Sequence, residues 1–193
     1  MSLPLTRTYP STKTVWIPVT QGGAPNIPLV KPGDSVTRGQ KIAESDAYMS
    51  VPVHASVSGT VKKIETRLVT GNRDVPCIVI EADGRDETAF MPPLDPFTCT
   101  KEEALARVRD AGIAGMGGAS FPVHVKLNPP KGSVIDYLLA NGAECEPYLT
   151  VDARVMTEHA ATVVDGVAIS MRITGARKGL IVIEDNKRDL VPI

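Results

Sequence analysis

Two short segments of this chain carry side chains at spacings that could do chemistry. The first is Gly112-Ile113-Ala114-Gly115-Met116-Gly117-Gly118-Ala119-Ser120-Phe121-Pro122, with Lys126 four residues further on. Closely spaced glycines let backbone N–H groups approach an anion, and a nearby lysine adds a point charge, which together suit a phosphate. The spacing is not that of a G-x-x-x-x-G-K loop, and no strand leads directly into it as a dinucleotide fingerprint requires. A purely structural turn is the alternative, and Phe121 either stacks on a flat ring or anchors the loop in a core. The second segment is Asn141-Gly142-Ala143-Glu144-Cys145-Glu146-Pro147-Tyr148, directly after the apolar run 133–140. Two carboxylates two residues apart, held between a glycine and a proline, can accept hydrogen bonds from hydroxyls or amides. Strand ends in open parallel sheets are where ligands bind; a solvated acidic turn is the competing reading.

The elements that must position these segments follow from length and composition. A chain of 193 residues has room for one large domain or two small ones. With 42% hydrophobic and 22% charged residues it is ordinary globular material, which excludes disorder and collagen-like repeats. Aromatic residues are only 4%, so the core must be built from Val, Ile, Leu and Ala. Lys plus Arg (21) against Asp plus Glu (22) leaves a net charge of −1, which argues against a nucleic-acid binder that works by neutralising phosphates. Residues 1–82 hold nine basic and six acidic side chains and residues 83–193 hold twelve and sixteen, a split that suggests two modules.

No apolar stretch approaches the roughly 20 residues that span a bilayer, and no signal peptide is visible. The chain therefore reads as soluble, with no direct membrane insertion and any membrane association made through a partner. Cys77, Cys99 and Cys145 form no C-x-x-C pair, so no zinc or iron–sulfur site is expected within these residues. Cys77, within Val75-Pro76-Cys77-Ile78-Val79-Ile80, is expected to be a buried strand residue. His54 and His124 have no acidic or cysteine partner at ligand spacing, and His159 reads as structural or as a surface donor, so no metal is assigned.

Along the chain, residues 14–82 read as short strands between turns: 14–19, 51–54, 57–64 and 75–82, with 70–74 a hairpin loop. Residues 83–99, with Pro92, Pro93 and Pro96, read as a linker. Thr100 and Glu103 offer a capping box for a helix through Asp110 that Gly112 stops. Val163, Val167 and Met171 mark a helix over 157–174 ended by Gly175, between apolar strands at 133–140 and 179–184. Strand, helix, strand of this kind is a βαβ unit with a parallel sheet. The sequence reaches Ile193 with no second such unit, so the sheet is expected to be incomplete within these residues.

Pro32-Gly33-Asp34-Ser35-Val36-Thr37-Arg38-Gly39-Gln40, followed by His54-Ala55-Ser56-Val57-Ser58-Gly59-Thr60-Val61, resembles the biotinyl/lipoyl-carrier half-barrel, a barrel-sandwich hybrid. In those carriers a hairpin-tip lysine receives the prosthetic group. Counting back from Ser58-Gly59 puts Tyr48 in its place, beside Met49, so no covalent attachment is expected there.

Taken together, the glycine segment, the acidic turn and the run through Asp152, Arg154, Met156, Glu158-His159 and Ile183-Glu184-Asp185-Asn186-Lys187 resemble the RnfC family of the Rnf electron-transport complex. That family shares this region with the flavin-bearing subunit of respiratory complex I, where GRGGAGFP and N-DESEPG occupy equivalent places. The resemblance implies a carrier-like half-barrel over 1–82, a linker over 83–99, and the N-terminal part of a Rossmann-like FMN/NADH-binding domain over 100–193. It further implies Gly115, Gly117, Gly118 and Ala119 beneath the cofactors, Phe121 stacking on an NADH ring, and Lys126 near a phosphate. Asn141, Glu144 and Glu146 would meet polar groups of FMN and NADH. Met116, Ser120 and Ala143 depart from the complex I pattern, in place of arginine, glycine and aspartate.

The function so implied is electron transfer between NADH and ferredoxin through FMN and 4Fe-4S clusters, the clusters lying in a further C-terminal part. The partners would be the membrane subunits of the Rnf complex, on the cytoplasmic face of the membrane. The chemistry would belong to the flavin, so no side chain is assigned as acid, base or nucleophile. The alternative is a scaffold subunit without flavin, as in the sodium-pumping NADH:quinone reductase.

Overall fold

A computed structural model describes residues 12–21, 23–116, 118–146 and 148–192. Among them the chain forms two compact units, one of residues 12–95 with 102–126 and one of residues 96–101 with 127–192.

The first unit is the expected half-barrel. Strands β1 (Thr14–Pro18), β7 (Arg73–Ala82), β6 (Gly59–Val69) and β3 (Ser35–Val36) form one antiparallel sheet, in the order β1-β7-β6-β3. Strands β2 (Ile27–Pro28), β4 (Lys41–Glu44) and β5 (Val53–His54) form a second, in the order β2-β4-β5. Val36, Val61, Ile78 and Ile80 from the first sheet and Ile42, Ala43 and Val53 from the second make one buried cluster with Val19 and Ala55. As the scarcity of aromatics requires, that core contains none. Fully burying such a Val or Ile side chain stabilises the fold by roughly 1.5–3 kcal/mol.

The β6–β7 hairpin closes through Gly71 and Asn72, both at positive φ, within the turn expected at residues 70–74. Cys77 is 1% exposed on β7, as expected, and burial pushes its thiol above the ordinary range. On the opposite side of β1 from the cluster, the Trp16 indole N–H donates to Glu65 at 2.8 Å, and the Arg67 guanidinium lies 4.7 Å from the indole ring.

Helix α1 (Lys101–Asp110) runs as expected, with Glu102 and Glu103 in its first turn and Arg107 and Arg109 in its last, each suited to the helix dipole. The expected boundary at 99/100 is not where the compact units divide. Residues 102–126, comprising most of α1, the glycine segment and the one-turn α2 (Val123–Lys126), pack with the half-barrel.

The second unit holds a two-stranded parallel sheet, β8 (Tyr137–Asn141) beside β9 (Lys178–Val182), joined through α3 (Val151–Glu158) and α4 (Ala160–Thr174). This is the expected parallel strand–helix–strand arrangement with three adjustments. Strand β8 starts at Tyr137 rather than 133, because ladder pairing begins only where Lys178 comes alongside. The single helix expected over 157–174 is two helices, broken at His159, whose φ of −133° leaves the helical region. The strand expected to reach Glu184 stops at Val182, and residues 185–190 wind into a 3-10 helix. Gly175 ends α4 in the left-handed conformation, its N–H bonded to the Met171 carbonyl. Val167 and Met171 press on β9 so closely that a Cβ at Gly179 would lie 2.7 and 2.6 Å from them.

Candidate functional site

The glycine segment begins where α1 ends. Gly112 takes φ +68°, and a Cβ there would stand 2.7 Å from the Pro52 carbonyl, so only glycine lets this leg pass the barrel. The segment then closes on itself. Gly115 N–H donates to the Phe121 carbonyl at 2.8 Å, Val123 N–H donates to the Ile113 carbonyl at 3.0 Å, and Ala114 bridges Pro122. What lies between Gly115 and Phe121 is therefore a tight loop on a two-legged stem.

Gly118, at φ +90°, and Ala119 are exposed on that loop, Met116 is fully exposed, and Gly117 lies outside the described residues. Ser120 sits at φ +49°, a left-handed conformation that glycine adopts freely and serine tolerates at modest strain. Lys126, at the end of α2, brings its Nζ back to the stem, 2.9 Å from where a Cβ of Gly115 would be. The structure thus joins Gly115, Phe121 and Lys126: backbone amides, a half-exposed ring and an ammonium at the base of one loop.

The acidic turn belongs to the second unit, at the carboxyl end of β8. Asn141 closes the strand, its side-chain oxygen accepting from the Ala143 N–H at 3.1 Å. Gly142 N–H donates to the Val182 carbonyl at 2.8 Å, and a Cβ there would press on Met156 Sδ at 2.9 Å.

The two carboxylates differ in surroundings. The Glu144 side chain is only 2% exposed; one oxygen accepts from the Asp152 N–H at the start of α3 at 2.8 Å. Its other oxygen lies 3.6 Å from Lys187 Nζ, an ion-pair distance too long for a hydrogen bond. Glu146 is exposed, Pro147 lies outside the described residues, and Tyr148 is fully exposed at φ +67°. A small cleft of about 120 Å³ opens beside Asn141, Gly142, Asp152 and Met156.

Sequence reasoning gives no role to Lys187, although it lies in a segment already singled out, nor to Asp152 as a backbone donor to Glu144. It also misses His124, which is buried, with Nε2 at 3.0 Å from the Tyr48 carbonyl. Tyr48 stands in the turn between β4 and β5, the position that the resemblance to the carriers gives to their lysine. Among the described residues no cluster of three or more His, Cys, Asp or Glu could hold a metal ion, and no helix is long and apolar enough to cross a membrane.

Comparison with known proteins accounts for both halves. Residues 4–85 match the RnfC barrel sandwich hybrid domain, and residues 108–192 match the Nuo51 FMN-binding domain of complex I. The chain carries an RnfC N-terminal domain followed by a Nuo51 FMN-binding domain. It is 48% identical over 176 residues to the C subunit of the proton-translocating ferredoxin:NAD(+) oxidoreductase complex of Clostridium ljungdahlii, covering 90% of this chain and 38% of the relative. It is 45% identical over 173 residues to the Na(+)-translocating counterpart of Acetobacterium woodii, covering 88% and 39%. The C subunit of an ion-translocating oxidoreductase complex of Rhodobacter capsulatus is 40% identical over 184 residues, covering 93% of this chain and 36% of its own length. The chain therefore spans under two-fifths of the length of these relatives.

Proposed function

We propose that this chain is the cofactor-entry part of an ion-translocating ferredoxin:NAD oxidoreductase subunit, holding FMN and meeting NADH. The observation that carries the reading is the stem-closed loop with Lys126 folded back onto Gly115, within a region that matches an FMN-binding domain. Backbone N–H groups of Gly118 and Ala119, with Gly117, would hold the flavin phosphate above the stem that Gly115 closes, and Lys126 would add charge. Phe121 offers a ring face to the dinucleotide. Asn141 and Glu146 would accept hydrogen bonds from flavin and nicotinamide-nucleotide groups, with Glu144 beside them in the same turn. When bound, FMN supplies the exchange between a hydride and single electrons; the protein supplies position and charge.

Ferredoxin and ion translocation enter this reading from the relatives' names; the clusters, the membrane subunits and the side of the membrane enter from the family resemblance alone. Electrons would pass through 4Fe-4S clusters outside residues 1–193 toward ferredoxin. The Rnf membrane subunits would dock the protein at the cytoplasmic face of the membrane, without insertion of this chain.

The test is FMN and NADH titration of the complete gene product. Gly118→Val places a branched side chain at φ +90° and should abolish FMN binding. Glu146→Gln keeps shape, removes charge, and should weaken NADH roughly 10- to 150-fold while FMN stays bound, as expected for one charge-assisted hydrogen bond. FMN binding that survives Gly118→Val, with NADH affinity unmoved in Glu146→Gln, would leave the scaffold alternative standing.

A further inference from the structure

The hairpin tip that bears a lysine in carrier proteins has no role in the reading above, and neither does His124. The two meet. The Tyr48 carbonyl can only accept, so its 3.0 Å contact requires His124 to carry its proton on Nε2. Nδ1 is fully buried and has no hydrogen-bond partner among the described residues.

His124 sits on α2 between Phe121 and Lys126, on the second leg of the glycine-loop stem. The first leg is tied to the same barrel. Gln21 Nε2 donates to the Gly112 carbonyl at 3.0 Å, and Arg109 on α1 donates to the Ser45 carbonyl at 2.7 Å. Each side chain bonds to backbone, so these ties fix where the chain runs.

We propose that the half-barrel is the mount of the glycine loop, and that His124 is the positioning residue that sets the loop's second leg, and with it Lys126, through the Tyr48 carbonyl. The tip has exchanged a swinging arm for a clamp. This rests on the reading that the loop holds FMN.

The atom that matters can be isolated by substitution. Glutamine can place its amide nitrogen where His124 Nε2 lies; asparagine can reach only the Nδ1 position, which faces no acceptor. In the complete gene product, FMN affinity is read by flavin fluorescence, and hydrogen exchange is read at the Gly115 and Val123 amides that close the stem. His124→Ala and His124→Asn should weaken FMN roughly five- to tenfold, about the worth of one hydrogen bond, and speed exchange at both amides. His124→Gln should restore both readouts. Tyr48→Phe, which keeps the carbonyl, should change neither. Unaltered exchange in His124→Asn, altered exchange with unaltered FMN affinity, or equal effects of Asn and Gln would overturn the proposal. Wild-type protein that binds no FMN would instead overturn the flavin reading beneath it.

Discussion

The Glu144 carboxylate caps helix α3 by accepting the backbone N–H of Asp152 at 2.8 Å. It sits in the middle of the acidic turn yet faces inward, toward Lys187. The turn is thereby fastened to the helix that follows it, while Glu146, two residues on, is exposed. Two carboxylates of one short motif thus meet different surroundings, one structural and one open to solvent.

Removing that cap should be measurable. Glu144→Ala deprives the Asp152 N–H of its acceptor and should destabilise the second unit by roughly 1–2 kcal/mol, the usual worth of a helix cap. Glu144→Gln retains an oxygen for the N–H and should lose less. Urea unfolding followed by far-ultraviolet circular dichroism would show it; equal losses in both variants would mean that capping is not the origin.

Gly112 offers a second stability test. Alanine there must take φ +68° and displace the Pro52 carbonyl, 2.7 Å from its Cβ. Gly84, at φ +74° with nothing within 4 Å of a Cβ, is the control for strain alone. Gly84→Ala should cost about 1 kcal/mol and Gly112→Ala clearly more. Identical melting temperatures for the two variants would rule out the close approach.

The pH dependence of the half-barrel has a definite sign. Burial, then the Lys41 charge, hold the His54 imidazole below its ordinary value of 6.5. The unfolded chain therefore binds the proton first, and stability should fall as pH drops below 6.5, levelling off under the folded-state value. His54→Gln should flatten that part of the profile in melts between neutral and mildly acidic pH. A wild-type profile as flat as the variant's would contradict it.

Thiol reactivity should sort by burial. Cys145 is exposed on the acidic turn, whereas Cys77 and Cys99 are buried and the Cys77 thiol is pushed up. Titration of the native protein with a maleimide should label Cys145 fast and Cys77 only on unfolding, as peptide mapping would show.

Much of this architecture is legible in the sequence because local chemistry and tertiary packing agree. The Gly71-Asn72 pair of the β6–β7 turn, the Gly175 helix stop and the four-residue spacing of Val163, Val167 and Met171 each serve a local rule and the fold at once. What escapes sequence reading depends on distant partners. Buried Asn26, bonded to the Val19 and Val51 carbonyls and to Ser50, looks like a loop residue in the sequence. The break at His159 does not show in the apolar period, which begins only at Val163. Residues 102–126 pack on the barrel through Gln21, Arg109 and His124, polar groups whose bonds to remote carbonyls leave no periodic trace.

Trp16 is the sole tryptophan of the chain and lies on β1, under Arg67 and bonded to Glu65. Its emission is therefore an optical label for the half-barrel alone. Helical ellipticity, by contrast, draws most of its signal from α3 and α4 of the second unit. One sample watched at both wavelengths reports the two units separately, and a melt in which the curves part would show that they lose their structure independently.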